Sequence, residues 1–172
     1  MSAIPMEMGQ SPLRTGWKPG QIYEICMLDG EYKTRFIQRL RRTYAHHHIV
    51  SDRDPAFRTL REIQDYLDAL VAPAELLILD ISEILYLDFV KDAETLKGNL
   101  KALYASLGRL SKRGIICAMF VNYYYYYYIF HLVARPPAVQ VLIFPSETLP
   151  FWEDCLAIPA ALPTWRSVSS AK

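Results

Sequence analysis

The six residues 76–81 read LLILDI, an apolar run that is interrupted only by Asp80. A strand that alternates apolar and polar residues has one face in water, whereas a near-continuous apolar run is typical of a strand covered on both faces. Sheets covered on both faces are mostly parallel sheets with helices packed on each side. Residues 75–81 are therefore predicted to form a buried strand that ends near a carboxylate.

The elements on either side of this strand complete the pattern. Strands are also predicted at residues 22–28, 115–121 and 139–144. Apolar residues at three- and four-residue spacing predict helices at 32–44, 55–70, 92–114 and 122–134, with a short last helix capped by Ser146. Alternating strands and helices predict a single-domain α/β sandwich, with a mainly parallel or mixed sheet of four to five strands flanked by helices.

The 172 residues are enough for one domain that folds without disulfides or a metal. Residues 1–20 are interpreted as an extended N-terminal arm, 21–158 as the domain, and 159–172 as a flexible C-terminal tail. Within the domain, residues 45–72 are predicted to be a helical insertion.

Composition excludes several classes of function. The net charge of +1 gives no global field that would attract nucleic acid or an anionic membrane. Three cysteines without metal-ligand spacing predict no zinc site, and a cytoplasmic location is expected. Residues 115–134 lack formal charge, but the six tyrosines at 123–128 favour a strand and a helix over a membrane span.

The order of these elements and several local motifs resemble the STAS family, named for sulfate transporters and anti-sigma-factor antagonists. The similar segments are 27–31 (MLDGE), 76–82 (LLILDIS), 85–88 (LYLD), the leucine-rich helix 103–114, and 141–146 (VLIFPS). The resemblance spans about residues 20–158. It implies a STAS-like fold and a non-enzymatic regulatory or scaffolding module that binds a partner protein, with no cofactor and no metal.

Members of this family are commonly phosphorylated on a Ser or Thr that follows the aspartate corresponding to Asp88. Here the predicted loop from Asp88 to Asp92 reads Asp-Phe-Val-Lys-Asp, so that hydroxyl is missing and Asp92 adds a fixed negative charge. Six adjacent tyrosines on one helix must also leave some rings facing water or a partner. The predicted partner-binding residues are Asp88, Phe89, Lys91, Asp92, Thr95, Tyr123, Tyr124 and Tyr127, with homo-oligomers also expected.

Two other functions stay open. Asp80 could be the phosphoacceptor of a receiver-like signalling domain, with Asp29 and Glu31 completing an acidic pocket. The basic stretch 33–48, which ends in three histidines, could bind nucleic-acid phosphates, although a solvated helix face or a docking face for an acidic protein is favoured. No P-loop, GxSxG, GxGxxG or HExxH motif is present, so an enzyme is not predicted.

Overall fold

The structure is a computed structural model, and it describes residues 19–71, 74–129, 132–137 and 139–143. Five strands and five helices alternate almost regularly along these residues. In chain order they are β1 (Ile22–Met27), α1 (Glu31–Thr43), β2 (His47–Ser51), α2 (Leu60–Ala69), β3 (Leu76–Asp80), α3 (Ser82–Lys91), α4 (Ala93–Lys112), β4 (Ile116–Asn122), α5 (Tyr123–Ile129) and β5 (Val139–Ile143).

The strands form one sheet in the order β2-β3-β4-β1-β5, and every neighbouring pair is parallel. The first strand therefore lies between the last two, with Ile22 opposite both Cys117 and Val139. The predicted α/β sandwich is confirmed, with all five strands parallel.

Helices cover both faces of the sheet. Helix α1 packs Phe36 and Leu40 on one face, where the ring of Phe36 meets that of Phe120 edge to face at 5.6 Å. Helices α2, α3, α4 and α5 contribute to the larger apolar cluster on the other face. The three inner strands are buried almost throughout, which accounts for their near-continuous apolar sequences.

The long helix α4 illustrates how the sequence sets the helix bounds. Its leucines at three- and four-residue spacing are all buried, and Asp92 caps its first turn by accepting from the Glu94 and Thr95 amides at 3.1 and 3.4 Å. Gly114 follows its end with a φ of 93°, a left-handed conformation that glycine adopts without a steric penalty. The predicted helix at 92–114 is confirmed to within two residues.

The predicted helical insertion at 45–72 is wrong in its first part. Residues 47–51 are the edge strand β2, paired in parallel with β3 so that His47 lies opposite Leu76. The predicted helix start at Asp54-Pro55 is also wrong, because α2 begins at Leu60. Thr59 caps it through a reciprocal capping box with Glu62, whereas Asp54 accepts from the amide of Ala56 at 3.0 Å in the turn before the helix.

Other differences concern the regions around α3 and α5. Residues 88–91, predicted to belong to a loop from Asp88 to Asp92, are the last residues of helix α3, and the extended Asp92 separates α3 from α4. Helix α5 ends at Ile129, earlier than the predicted 134. Residues 1–18 of the predicted arm over 1–20, the short helix after Ser146 and the C-terminal tail lie outside the described residues.

None of the helices in the described part of the chain is long and apolar enough to cross a membrane. Cys26 and Cys117 are buried free thiols. Burial raises the pKa of the Cys117 thiol to about 12, and burial also raises the pKa of Cys26. Both thiols therefore stay protonated and unreactive at neutral pH.

Candidate functional site

A crevice opens at the carboxyl ends of the strands, where the chain reverses its direction of winding. Strand β1 is followed by α1 on one face of the sheet, and its neighbour β4 is followed by α5 on the other face. Adjacent strands whose following helices leave on opposite faces are the usual place for a ligand site in an open parallel sheet. This edge of the sheet is therefore the first candidate site.

A buried lysine occupies the floor of this crevice. The Nζ atom of Lys33 lies 2.5 Å from Oδ1 of Asp29 and 2.8 Å from Oδ1 of Asp80, and only 6% of Lys33 is exposed. Burial lowers the pKa of the Lys33 ammonium, but the hydrogen bonds and charges of the two aspartates outweigh burial and raise it. Lys33 is therefore a permanent cation that neutralises part of the acidic pocket.

Lys33 was predicted to lie on the solvated basic face of α1, and that prediction is wrong. It precedes Phe36 by three residues and Leu40 by seven, so it shares their inward face. The same helical spacing that identified the apolar stripe of α1 would have placed Lys33 on the buried side of the helix. The burial of Lys33 was not predicted because lysine side chains were assumed to face solvent.

A third aspartate enters the crevice from the end of β2. Oδ2 of Asp52 accepts hydrogen bonds from the backbone amides of Glu83 at 2.9 Å and Ile84 at 3.4 Å, at the start of α3. Burial raises the pKa of Asp52, opposed mainly by the hydrogen bond from Glu83. The cavity has a volume of about 150 Å³ and is lined by Asp29, Lys33, Asp52, Arg53, Asp80, Ser82 and Glu83.

Ser82 and Asn122 connect the crevice to the inner strands. The Ser82 hydroxyl donates to the carbonyl of Phe120 at 3.2 Å and accepts from the amide of Asn122 at 2.7 Å. The Asn122 side chain in turn donates to Oδ2 of Asp29 at 3.2 Å. The first turn of α3 and the end of β4 are thereby held in a fixed position relative to the pocket.

The chemistry available in the crevice is that of carboxylates around one ammonium. Asp80 and Asp29, predicted to belong to one acidic pocket, do lie together, but the exposed Glu31 does not line the cavity. Within the described ranges, no three His, Cys, Asp or Glu side chains are grouped closely enough to hold a metal ion, and His46, His47 and His48 form no such group.

The predicted partner-binding residues on α3 lie partly inside the fold. Asp88 and Phe89 are half-buried, Phe89 packs against the core, and Lys91 is exposed. Partial burial raises the pKa of the Asp88 carboxyl. Of these three residues, Lys91 presents the most of its side chain to an approaching molecule.

Asp92 and Thr95 are exposed, but they also bond to each other. Thr95 Oγ1 donates to Asp92 Oδ2 at 2.7 Å, in addition to the backbone amides that the carboxylate caps. Hydrogen bonds from the side chain and backbone of Thr95 lower the pKa of Asp92. The negative charge of Asp92 therefore stabilises the first turn of α4.

The tyrosine helix leaves one described ring largely in solvent. Tyr124 is 68% exposed, Tyr123 is half-buried, and their rings meet at 6.4 Å with an interplanar angle of 63°. The predicted residue Tyr127 belongs to α5, but its side chain lies outside the described set. Tyr125 stacks on Tyr86 of α3 with ring centroids 4.3 Å apart, which holds α5 and α3 together.

Two exposed aliphatic residues on α3 were not predicted. Leu87 is 49% exposed and Val90 is 63% exposed, and they lie three residues apart on the same side of the helix. Helix α3 carries apolar residues on all sides, while only the side with Ile84 and Leu85 is buried. Its polar residues Ser82, Glu83, Asp88 and Lys91 are spread among the apolar ones and do not form one polar side, and this mixed pattern is the sequence signal for exposed apolar positions.

A second charged cluster lies around Glu24 in the interior of the fold. Glu24, in the middle of β1, accepts from Nε of Arg135 at 2.8 Å and from the hydroxyl of Tyr104. Burial raises the pKa of Glu24, and the charge of Arg135 opposes this. Because Glu24 is 0% exposed, the cluster ties Arg135 and α4 to the central strand rather than forming a ligand site.

Comparison with known proteins adds no assignment. No protein-family model matches the chain, and no curated protein matches its sequence. The function must therefore be argued from the crevice and from the exposed surface of the helices.

Proposed function

We propose that this protein is a non-enzymatic module that binds a partner protein through its α3 and α5 helices. The observation that carries the proposal is the location of its exposed apolar side chains. Among the described residues, three of the four exposed large hydrophobic residues, Leu87, Val90 and Tyr124, lie on these two helices, which pack against each other. We call these three residues the docking surface.

The composition of the docking surface suits a protein partner. The buried centres of protein interfaces are more apolar than the remaining surface and rich in aromatic residues such as tyrosine, while their rims are polar. Lys91 and the half-buried Asp88 flank Leu87 and Val90 along α3 and provide a charged rim. Such a surface gives a partner apolar contact in the centre and charge selectivity at its edge.

The proposal is tested with a matched pair of variants. In Leu87→Ser/Val90→Ser the apolar contact is removed from positions that are already exposed, so the free energy of unfolding should change by less than about 0.5 kcal/mol per site. The control is Val71→Ser, which removes an aliphatic residue that is 80% exposed and lies outside both helices. Quantitative capture from native lysate, read by mass spectrometry, identifies proteins that the wild type retains.

We expect at least one captured protein to be lost from the double variant and retained by Val71→Ser, with a purified pair then showing at least a tenfold weaker Kd, about 1.4 kcal/mol. Size-exclusion chromatography with light scattering separates binding of a different protein from self-association. Equal capture by all three proteins would refute the docking surface.

A second candidate function is phosphorylation of Asp80 in a receiver-like signalling domain. The specific observation in its favour is that Asp80 lines the crevice with Lys33 at 2.8 Å and with Asp29 and Asp52 nearby. A magnesium ion commonly uses only one or two carboxylates and keeps several waters, so it does not need a closed set of protein ligands.

Beryllofluoride with Mg²⁺ tests this candidate, because the complex mimics a phosphoryl group on an aspartate. A bound ¹⁹F resonance that is present in the wild type and absent from Asp80→Asn would support it. Free beryllofluoride signals alone, with unchanged protein spectra, would eliminate it and leave partner binding as the function.

A further inference from the structure

The charges of this nearly neutral chain are strongly segregated. The chain carries a net charge of +1, whereas α1 and β2, spanning residues 31–51, contain five Lys and Arg and one acidic residue, the exposed Glu31. Apart from the buried Lys33, all the basic side chains of this stretch are arginines on α1: Arg35, Arg39, Arg41 and Arg42. We call these four arginines the basic face.

The basic face points away from the rest of the helices. Helix α1 is the only helix of the described residues on its side of the sheet, and it buries Phe36 and Leu40 against the strands. Arg35, Arg41 and Arg42 are exposed, while Arg39 is half-buried. The helices α2, α3 and α4 lie on the opposite side of the sheet, and together they carry as many Lys and Arg as Asp and Glu.

The spacing of the arginines gives the face a length that suits a polyanion. Arg35, Arg39 and Arg42 lie four and three residues apart, so they follow one side of α1 over about 10 Å at 1.5 Å per residue. Double-stranded nucleic acid presents one phosphate per about 1.7 Å of its axis, counting both strands. Several phosphates therefore fall within reach of these guanidinium groups, which bind phosphate in a planar, bidentate geometry.

Arg41 is held toward the edge strand by His47. Nδ1 of His47 lies 2.7 Å from the carbonyl of Tyr44, and Nε2 lies 3.4 Å from Nε of Arg41. In this arrangement Nδ1 donates to the carbonyl of Tyr44 and Nε2 accepts from Nε of Arg41. This arrangement keeps the cationic end of α1 close to the histidines at the start of β2.

The basic face lies on a helix without exposed large hydrophobic residues. The exposed large hydrophobic residues described are Val71, Leu87, Val90 and Tyr124, and none of them belongs to α1. The buried centres of protein interfaces are more apolar than the remaining surface, whereas a phosphate backbone is bound through charge and hydrogen bonds. We infer that the basic face of α1 binds the phosphate backbone of a nucleic acid without reading its sequence, independently of the docking surface on α3 and α5.

Fluorescence anisotropy on a short labelled duplex of mixed sequence, and on its single strand, tests the inference with the full chain. About three phosphate contacts predict that log Kobs falls with log salt with a slope near −2.7, or an affinity loss of about 40-fold between 50 and 200 mM salt. The variant Arg35→Gln/Arg42→Gln should bind at least about tenfold more weakly and flatten the slope by about 1.8.

The control is Lys101→Gln/Lys112→Gln, which removes the same charge from exposed positions on α4, across the sheet. It should bind as the wild type does, and circular dichroism should show both variants folded. An equal loss in both variants, no saturable binding at low salt, or tighter binding to polyglutamate or to phosphatidylserine vesicles than to the duplex would overturn the inference.

Discussion

At the scale of single residues, the crevice depends on one buried cation. Lys33 lies between Asp29 and Asp80, and a buried ion pair is costly to break because the remaining charges lose their compensation in a medium of low polarity. The aspartates are less buried than Lys33, since the side chain of Asp29 is 48% exposed. Asp80, at 15%, is the partner that would suffer most from the loss of Lys33.

Replacing Lys33 with Met should lower the free energy of unfolding by about 3 kcal/mol, which corresponds to a fall in Tm of about 10 °C. The variant Lys33→Met/Asp80→Asn should lose at least about 1 kcal/mol less than the sum of the two single changes, because they remove the same interaction. Urea unfolding measures all four proteins. Strict additivity would mean that Lys33 and Asp80 do not interact.

The buried Glu24 makes stability depend on pH. Burial raises its pKa in the folded protein above the value of about 4.3 expected in the unfolded chain. Between those two values the folded state keeps a proton that the unfolded state has released, so the free energy of unfolding falls as pH rises through this window.

Urea midpoints measured across the acid and neutral range should therefore fall more steeply with pH in the wild type than in Glu24→Gln. The amide keeps an acceptor for Tyr104 but has no proton to lose. If the two profiles ran parallel, Glu24 would have the same pKa in both states.

At the scale of elements, helices and strands were predicted most accurately where the apolar pattern extends over many residues. The four strands and the helix α4 were found because each combines several apolar residues with a clear end signal, such as Gly114. Strand β2 was missed because only Ile49 and Val50 of its five residues are apolar and it lies at the sheet edge. The capping box of Thr59 and Glu62 was readable, but Asp54-Pro55 offered a competing start signal.

The same comparison holds for the candidate site. Asp80 and Asp29 were predicted to meet because carboxyl ends of parallel strands share one edge, whereas Asp52 was missed together with the strand β2 that carries it. The exposed residues Leu87 and Val90 were missed because the segment of α3 was predicted to be an apolar run that ends in a loop. Because β2 and α3 were not predicted, Asp52, Leu87 and Val90 were missing from the predicted sites, although the fold class was predicted correctly.

Asp92→Ala should lower the free energy of unfolding by about 1 kcal/mol, because α4 would lose its N-terminal cap. Asp92→Asn keeps a capping oxygen and should cost less than about half of that. Thermal unfolding of both variants tests this prediction. If Ala and Asn are equally well tolerated while partner capture falls, Asp92 acts in recognition and not as a cap.

At the scale of the whole molecule, stability should be highest in the middle of the sheet. All six residues of β1 and all seven of β4 are buried, whereas Val50 is the only buried residue of β2. Local opening needs less free energy where fewer apolar contacts are broken. The edge strand should therefore open without global unfolding.

Hydrogen exchange read by mass spectrometry tests this gradient. Amides of β1 and β4 should exchange only through global unfolding, and those of β2 at least about tenfold faster, a difference of 1.4 kcal/mol or more. The short peptide between β1 and α1 serves as the fast reference. Equal protection of β2 and β4 would show that the edge strand is covered and not free to open.

The position of β1 between β4 and β5 also affects how the protein folds during its synthesis on the ribosome. Ile22 leaves the exit tunnel early, but its partner Cys117 follows only after most of the described chain has been made. At translation rates of 5–20 residues per second, β1 waits on the order of ten seconds for a neighbour. During that interval an apolar segment stays unpaired in the nascent chain, where unpaired strand edges favour aggregation.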